Sequence, residues 1–345
     1  MKIAVLNNHV PFVTGGAEYL ADALVTQLQA HGHRAALYRI PFQWTPPDKI
    51  VESMLACRLI RLSDVDRVIA LKFPVYYVPH DHKVLWLLHQ FRQVYDLWGT
   101  PLQDMPDTDQ GRRIRDAVVR ADNAWLPEAR AIYSISHVTG DRLRRFNQIE
   151  SQVLWHPHPR PEPFHCEEYG DFIFCPSRIT RVKRQNLLVE AMRHTRTQVR
   201  LVIAGAAESA ADVLELSRLV EAGGLGDRVR IQAEFITDDA KVDLFARALA
   251  CAYLPLDEDS YGYVTLEAYH SRKPVISCRD SGGIGVVVKH GQTGYLVDPE
   301  PSQIAEAMDE LYLDRGRARA LGEAGFRHVQ QMGLSWEHVV STLTA

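Results

Sequence analysis

Two carboxylates, Asp259 and Glu267, stand with seven residues between them in "DSYGYVTLE". Gly262 permits a tight turn between them, and a helix is expected from about Tyr263 to Ser271, which puts Glu267 about one turn in. The first N–H groups of a helix lack intrahelical partners and carry partial positive charge. The layout therefore suits a phosphate on those N–H groups and a hydroxyl on each carboxylate, since carboxylates accept hydroxyl hydrogen bonds well. The plain alternative is an acidic helix start that complements the dipole, with Glu267 in solvent.

A second set of groups lies in "CPSRITRVKRQNLL". Arg178 and Lys183 fall in a loop between an apolar run ending near Cys175 and a helix expected from about Gln185. Arg grips phosphate with two N–H groups and Lys adds a point charge, so the pair forms a natural diphosphate clamp. Arg181 and Arg184 exceed what one diphosphate needs and read as solvated. In "VTGGAEYLADAL", Gly15 and Gly16 let backbone approach a ligand at a helix start, or simply turn the chain. Gly205 in "LVIAGAAES" reads as a tight turn as readily as a binding loop. His89 closes the apolar "KVLWLLH", where open α/β sheets bind ligands; a hydrogen-bonded, half-buried histidine is the alternative. The glycines at 15 and 16 do not make G-x-G-x-x-G, and no acid closes "HRAALYRIP", so a dehydrogenase is disfavoured.

The elements that must carry these groups alternate. Apolar runs at Lys2–Leu6, "RAALY", "RVIALKF", "KVLWLLH" and "AIYSIS" read as strands. Helical patterns occupy Ala17–His31 and regions near 48–60, 109–123 and 138–146. "HPHPRPEPFHCEEYG" has four prolines and no periodicity and reads as a linker. Alternation then resumes to the C-terminus, ending in helix stripes at Ile304, Met308 and Leu311, then at Trp336, Val339 and Val340. Strands alternating with helices predict parallel sheets covered on both faces. The 345 residues suit two domains. A net charge of −4 gives no basic field for nucleic acid. The longest apolar runs fall short of a membrane span, and "MKIAVLNN" reads as a first strand rather than a signal peptide. Five scattered cysteines without a CxxC pair suggest neither a disulfide framework nor a zinc site, and a reducing cytoplasm is expected.

Taken in order, these features resemble the retaining glycosyltransferases of family four, and the resemblance spans nearly the whole chain. It is carried by "TGGAEYLADALVTQLQAHGH", "DFIFCPSRITRVKRQNLLVEAM", "LVIAGAAE", "LGDRVRIQAEF", the Asp259–Glu267 stretch, "PVISCRDSGG" and "GQTGYLVDP". It implies an α/β GT-B architecture of two Rossmann-like domains facing a central cleft. Residues 1–158 would form the acceptor domain and 159–325 the nucleotide-sugar donor domain, with a helix at 326–345 returning toward the first. Arg178 and Lys183 would hold the donor diphosphate, helped by Tyr261, Gly262, Tyr263 and Val264 at the helix start. Glu267 would bind ribose hydroxyls, Asp259 the transferred sugar, and His89 would face that sugar. Gly15 and Gly16 would approach the donor phosphates or the acceptor, Gly205 would approach the donor, and the loop near Glu234 and Phe235 would flank the base. Arg92, Tyr95 and Trp98 are candidate acceptor contacts.

The implied reaction is retaining transfer of a hexosyl group from a nucleotide diphosphate, UDP- or GDP-linked, to an acceptor hydroxyl. The acceptor would be a sugar, a lipid-linked glycan or a small molecule, in surface polysaccharide, glycolipid or glycoside synthesis. The resemblance implies no metal and no cofactor beyond the donor, since cationic side chains neutralise the leaving diphosphate. A basic helix at "GDRLRRF" permits peripheral contact with the inner face of a membrane. Two departures stand out. Asp259 replaces the family's first glutamate and reaches less far by roughly one 1.5 Å bond. Gly285 and Val286 stand where the family often has proline and glutamate. A nucleotide-sugar 2-epimerase of the same architecture and a non-catalytic nucleotide-sugar-binding relative are the rival readings.

Overall fold

Each half of the chain repeats one physical solution: short apolar strands buried on both faces by helices. The computed structural model describes residues 1–11 and 15–345. Residues 12–14, which include the first two of "VTGGAEYLADAL", lie outside the described residues. The chain divides into two units, Met1–Pro159 with Leu334–Ala345, and Arg160–Gly333.

The first unit contains β1 (Lys2–His9), α1 (Gly16–Ala30), β2 (Arg34–Pro41), α2 (Asp48–Leu59), β3 (Arg67–Lys72), β4 (Lys83–His89), α3 (Asp109–Trp125), β5 (Ala131–Ser134), α4 (His137–Asn147) and β6 (Gln152–Val153). Its six strands run parallel in the order β2-β1-β3-β4-β5-β6. The order reverses direction at β1, between β2 and β3. The apolar runs explain the burial: Val68, Ile69, Ala70, Leu85, Trp86 and Leu87 are all fully buried.

The second unit contains β7 (Phe172–Pro176), α5 (Gln185–Met192), β8 (Arg200–Ala204), α6 (Ala210–Ala222), β9 (Val229–Gln232), α7 (Asp238–Arg247), β10 (Ala250–Ala252), α8 (Gly262–His270), β11 (Val275–Cys278), β12 (Gly294–Val297), α9 (Pro301–Leu313) and α10 (Arg315–Gln331). Its order is β12-β11-β10-β7-β8-β9, again all parallel. Here the reversal falls between β7 and β10. Crevices at such reversals, beyond the carboxyl ends of the strands, are where open α/β sheets hold ligands.

Helix starts follow local chemistry. Thr108, Ser136, Ser209 and Thr237 each accept a backbone N–H three residues on, at the starts of α3, α4, α6 and α7. The last helix, α11 (Trp336–Thr344), belongs to the first unit. Its Trp336 lies edge-on to Trp86, with centroids 6.3 Å apart, and Leu343 offers its carbonyl to Arg67 at 2.9 Å. No described helix is long and apolar enough to cross a membrane.

Candidate functional site

In the second unit, the loops that follow β7 and β10 meet because these two strands pair. Lys183, in the loop after β7, donates to the Tyr253 hydroxyl at 2.8 Å and pairs with the Glu258 carboxylate. Tyr253 directly follows β10, and its hydroxyl lies 3.3 Å from Glu258 Oε2. Burial alone would lower the Lys183 ammonium, but Tyr253 and Glu258 outweigh it and hold the group above the ordinary lysine value. Lys183 is thus a fixed cation at the strand reversal.

The helix start predicted beside these loops is present. Gly262 takes φ +70°, and a Cβ there would meet Tyr253 Cε1 at 2.9 Å and its hydroxyl at 3.2 Å. Lys183 and the first residue of α8 therefore share Tyr253 as a neighbour. Thr265 Oγ1 donates to the Tyr261 carbonyl at 2.6 Å, which secures the turn from within. Tyr261 itself is fully buried, so its ring is a core group beneath the helix start. Tyr263 and Val264 are half-buried.

In the acidic loop before α8, spacing favours Asp259 as the acid of interest, yet Glu258 is the one on Lys183. The backbone explains this. Asp257 adopts φ +50°, its N–H donates to Asp280 at 2.9 Å, and Gly283 N–H donates to the Glu258 carbonyl at 2.9 Å. A Cβ at Gly282 would collide with that same carbonyl. "SGGIG" is therefore packed against the acidic loop, and it turns Glu258 toward Lys183. Asp259 is half-buried alongside.

Glu267 is not in solvent. It is 3% exposed, and Lys241 of α7 donates to its Oε1 at 2.6 Å. Arg184 is not solvated either. It forks onto Asp280 with two bonds of 2.7 Å and also donates to the carbonyls of Leu254 at 2.7 Å and Pro255 at 3.0 Å. This clasp ties the loop after β7 to the loops after β10 and β11. Arg178, by contrast, is exposed, and its guanidinium has no hydrogen bond or ion pair among the described residues. Gly205 takes φ +152°, and a Cβ there would strike the Ser177 carbonyl, so this glycine serves close packing beneath Arg178. Glu234 is exposed and Phe235 is 81% exposed.

In the first unit, the strand reversal carries Gly15 and its neighbours. Gly15 N–H donates to Glu18 Oε2 at 2.9 Å, and Lys72 at the end of β3 donates to Glu18 Oε1 at 2.9 Å. His89 closes β4 half-buried, with Nδ1 2.7 Å from the Gln90 carbonyl, so Nδ1 carries the proton there. Of the expected acceptor contacts, Tyr95 is buried, and its hydroxyl donates to Asp122 at 2.6 Å. Arg92 is held on Asp96 at 2.7 Å, and Trp98 lies under Arg115 at 5.2 Å.

Sequence reasoning missed Glu18, Tyr253, Lys241 and Asp280. Glu18 had a signal, since a Glu three residues after a helix cap reaches back to it. The other three are brought in by tertiary contacts across 70, 26 and 96 residues of chain.

Two parallel six-stranded sheets, each sandwiched by helices in its own unit, make this an α/β chain of the GT-B fold. Its likeness to solved structures covers almost every residue. A sucrose-phosphate synthase from Thermosynechococcus elongatus superposes with a TM-score of 0.78 at 19% identity, covering 99% of this chain and 97% of that one. Anabaena HepE, crystallised with UDP and glucose, does so at 0.73 and 17% identity, covering 100% and 99%. Residues 165–328 match the family model described as glycosyl transferases group 1. Among curated proteins, the GDP-mannose-dependent alpha-(1-6)-phosphatidylinositol monomannoside mannosyltransferase of Mycobacterium tuberculosis is 35% identical over 163 residues, covering 44% of this chain and 41% of that protein. The chain thus spans less than half the length of that relative.

Proposed function

We propose that the protein is a retaining glycosyltransferase that moves a hexosyl group from a nucleoside diphosphate to an acceptor hydroxyl. The observation that carries this reading is the convergence of Lys183 and the Gly262 helix start on Tyr253, at the strand reversal within the stretch that matches group 1 glycosyl transferases. Residues 159–325 are assigned the donor and residues 1–158 the acceptor, the latter with Gly15, Gly16 and His89.

Arg178 and Lys183 bind the diphosphate and neutralise the charge that develops as it leaves. The α8 N–H groups add to this, as helix starts favour anions. Glu267 meets ribose hydroxyls and Asp259 the transferred sugar. Both carboxylates are donor-binding groups rather than a glycosidase acid and nucleophile. The leaving phosphate takes the acceptor's proton on the face it departs from, so the anomeric configuration is kept. A GDP- or UDP-linked hexose is the proposed donor, in line with the GDP-mannose dependence of the mycobacterial relative.

The test is a melting-temperature screen with UDP, GDP, ADP, CMP and dTDP, followed by turnover of the matching sugar nucleotide. A ligand at a hundredfold excess over Kd stabilises the fold by about 2.7 kcal/mol. One nucleotide should raise the melting temperature in wild type and lose its effect in Arg178→Ala. Silence with all five refutes donor binding. Turnover with inversion at the anomeric carbon refutes retention alone.

A further inference from the structure

Four of the five cysteines are buried. Burial pushes the thiols of Cys57, Cys175 and Cys278 up to about 12 and that of Cys251 well above its ordinary value, so all four are poor nucleophiles at neutral pH. Cys166 is different. It is half-buried on the segment that opens the second unit, and it lines an open pocket with His165, His270, Arg272 and Phe326.

Behind it lies Lys273, which is 0% exposed, with Nζ 3.1 Å from Cys166 Sγ. The same amine donates to the Glu168 carbonyl and sits 4.3 Å from the Tyr169 ring centroid. No carboxylate among the described residues is within ion-pair distance of it; Glu167 and Glu168 act at longer range. Burial pulls this amine below the ordinary lysine value, against the opposing effect of Cys166, and so enlarges its neutral fraction.

The turn that carries Lys273 is fixed on several sides. Tyr169 donates its hydroxyl to the Arg272 carbonyl at 2.6 Å. Arg272 pairs with Glu323 at 2.6 Å, and a Cβ at Gly322 would collide with the Arg272 carbonyl. Nitrogen and sulfur are thus held at a separation typical of atoms about to react. The sulfur borders the open pocket, and the amine is enclosed.

We propose that Cys166 and Lys273 are an oxidant-sensitive modification site, at which hydrogen peroxide joins the two side chains through a sulfur–nitrogen bond. Peroxide oxidises the thiol to a sulfenic acid and is itself reduced to water. The neutral Lys273 amine then attacks Sγ. The S–N bond forms as the S–O bond breaks, and the departing hydroxide takes one amine proton and leaves as water. In total one thiol, one amine and one peroxide give a sulfenamide and two waters. The link ties the segment opening the second unit to the turn between α8 and β11. It is independent of the donor chemistry proposed above.

The experiment treats the full-length protein with a small excess of hydrogen peroxide, digests it, and reads the peptides by mass spectrometry. A joined peptide pair containing Cys166 and Lys273 is expected, lighter than its two reduced parts by two hydrogens and separated by dithiothreitol. Separate peptides, with Cys166 as sulfinic or sulfonic acid and Lys273 unmodified, overturn the proposal. Lys273→Arg keeps the charge but removes the nucleophile, so it should abolish the link and let dimedone trap the sulfenic acid at Cys166. If that variant fails to fold, Cys166→Ser serves instead. It should show no linked peptide, and a Lys273 link to any other cysteine in it overturns the assignment.

Discussion

Lys241 on α7 donates to Glu267 on α8 across 2.6 Å, and the carboxylate it holds is almost wholly buried. An ionised carboxylate out of water needs such a partner, and removing one side of a buried pair leaves an uncompensated charge. Lys241→Met should therefore destabilise the protein by about 3 kcal/mol in urea unfolding. A loss under about 0.5 kcal/mol would mean the pair behaves like a surface one.

Lys183 and Arg184 are neighbours with opposite duties. Arg184 spends its guanidinium on Asp280 and two carbonyls, so Arg184→Ala should cost about 3 kcal/mol of stability by leaving those acceptors unpaired. Lys183→Ala should lower kcat/KM by about 100-fold, the scale of losing one preorganised charge at a leaving group. Thermal unfolding and donor turnover, measured on both variants, separate the two roles. Equal effects on both readouts would reject this division.

Gly262→Ala tests the helix start. The residue sits at φ +70° and its new Cβ would press on the Tyr253 ring at 2.9 Å. Backbone strain of this kind costs about 1–3 kcal/mol. Because Tyr253 holds Lys183, donor KM should rise while the fold survives. An unchanged KM would detach Tyr253 from donor binding.

The first unit carries its own pH dependence. Asp122 is completely buried and accepts the hydroxyls of Tyr77 and Tyr95, each at 2.6 Å. Burial raises its carboxyl from 3.8 to about 6, against the opposing pull of those hydroxyls. The folded state therefore binds this proton more tightly than the unfolded one. The stabilisation is complete below the unfolded value and is lost as pH rises through about 6. This group alone should remove on the order of 3 kcal/mol between those limits. Asp122→Asn should abolish that part of the slope in denaturation curves taken at successive pH values; an unaltered slope would place the titration elsewhere.

Much of this molecule is written locally. Alternating apolar runs and helical stripes determine most of the strands among the described residues, though not β6 or β12, and Ser or Thr caps set several helix starts, because both depend on residues a few positions apart. Gly262, Lys183 and Glu267 were legible as candidates for the same reason: a turn, a loop cation and an acid one turn into a helix are near-neighbour features. What the chain order could not reveal is which groups meet. Pairing of β7 with β10 brings Lys183 to Tyr253, and the Gly282 contact turns Glu258, rather than Asp259, toward it. The Lys241 side chain, reaching from α7, gives Glu267 its partner, and Arg184 becomes a clasp only because Asp280 lies across from it. Local propensity selects the elements; long-range burial, which must pair every charge it takes from water, decides the partners.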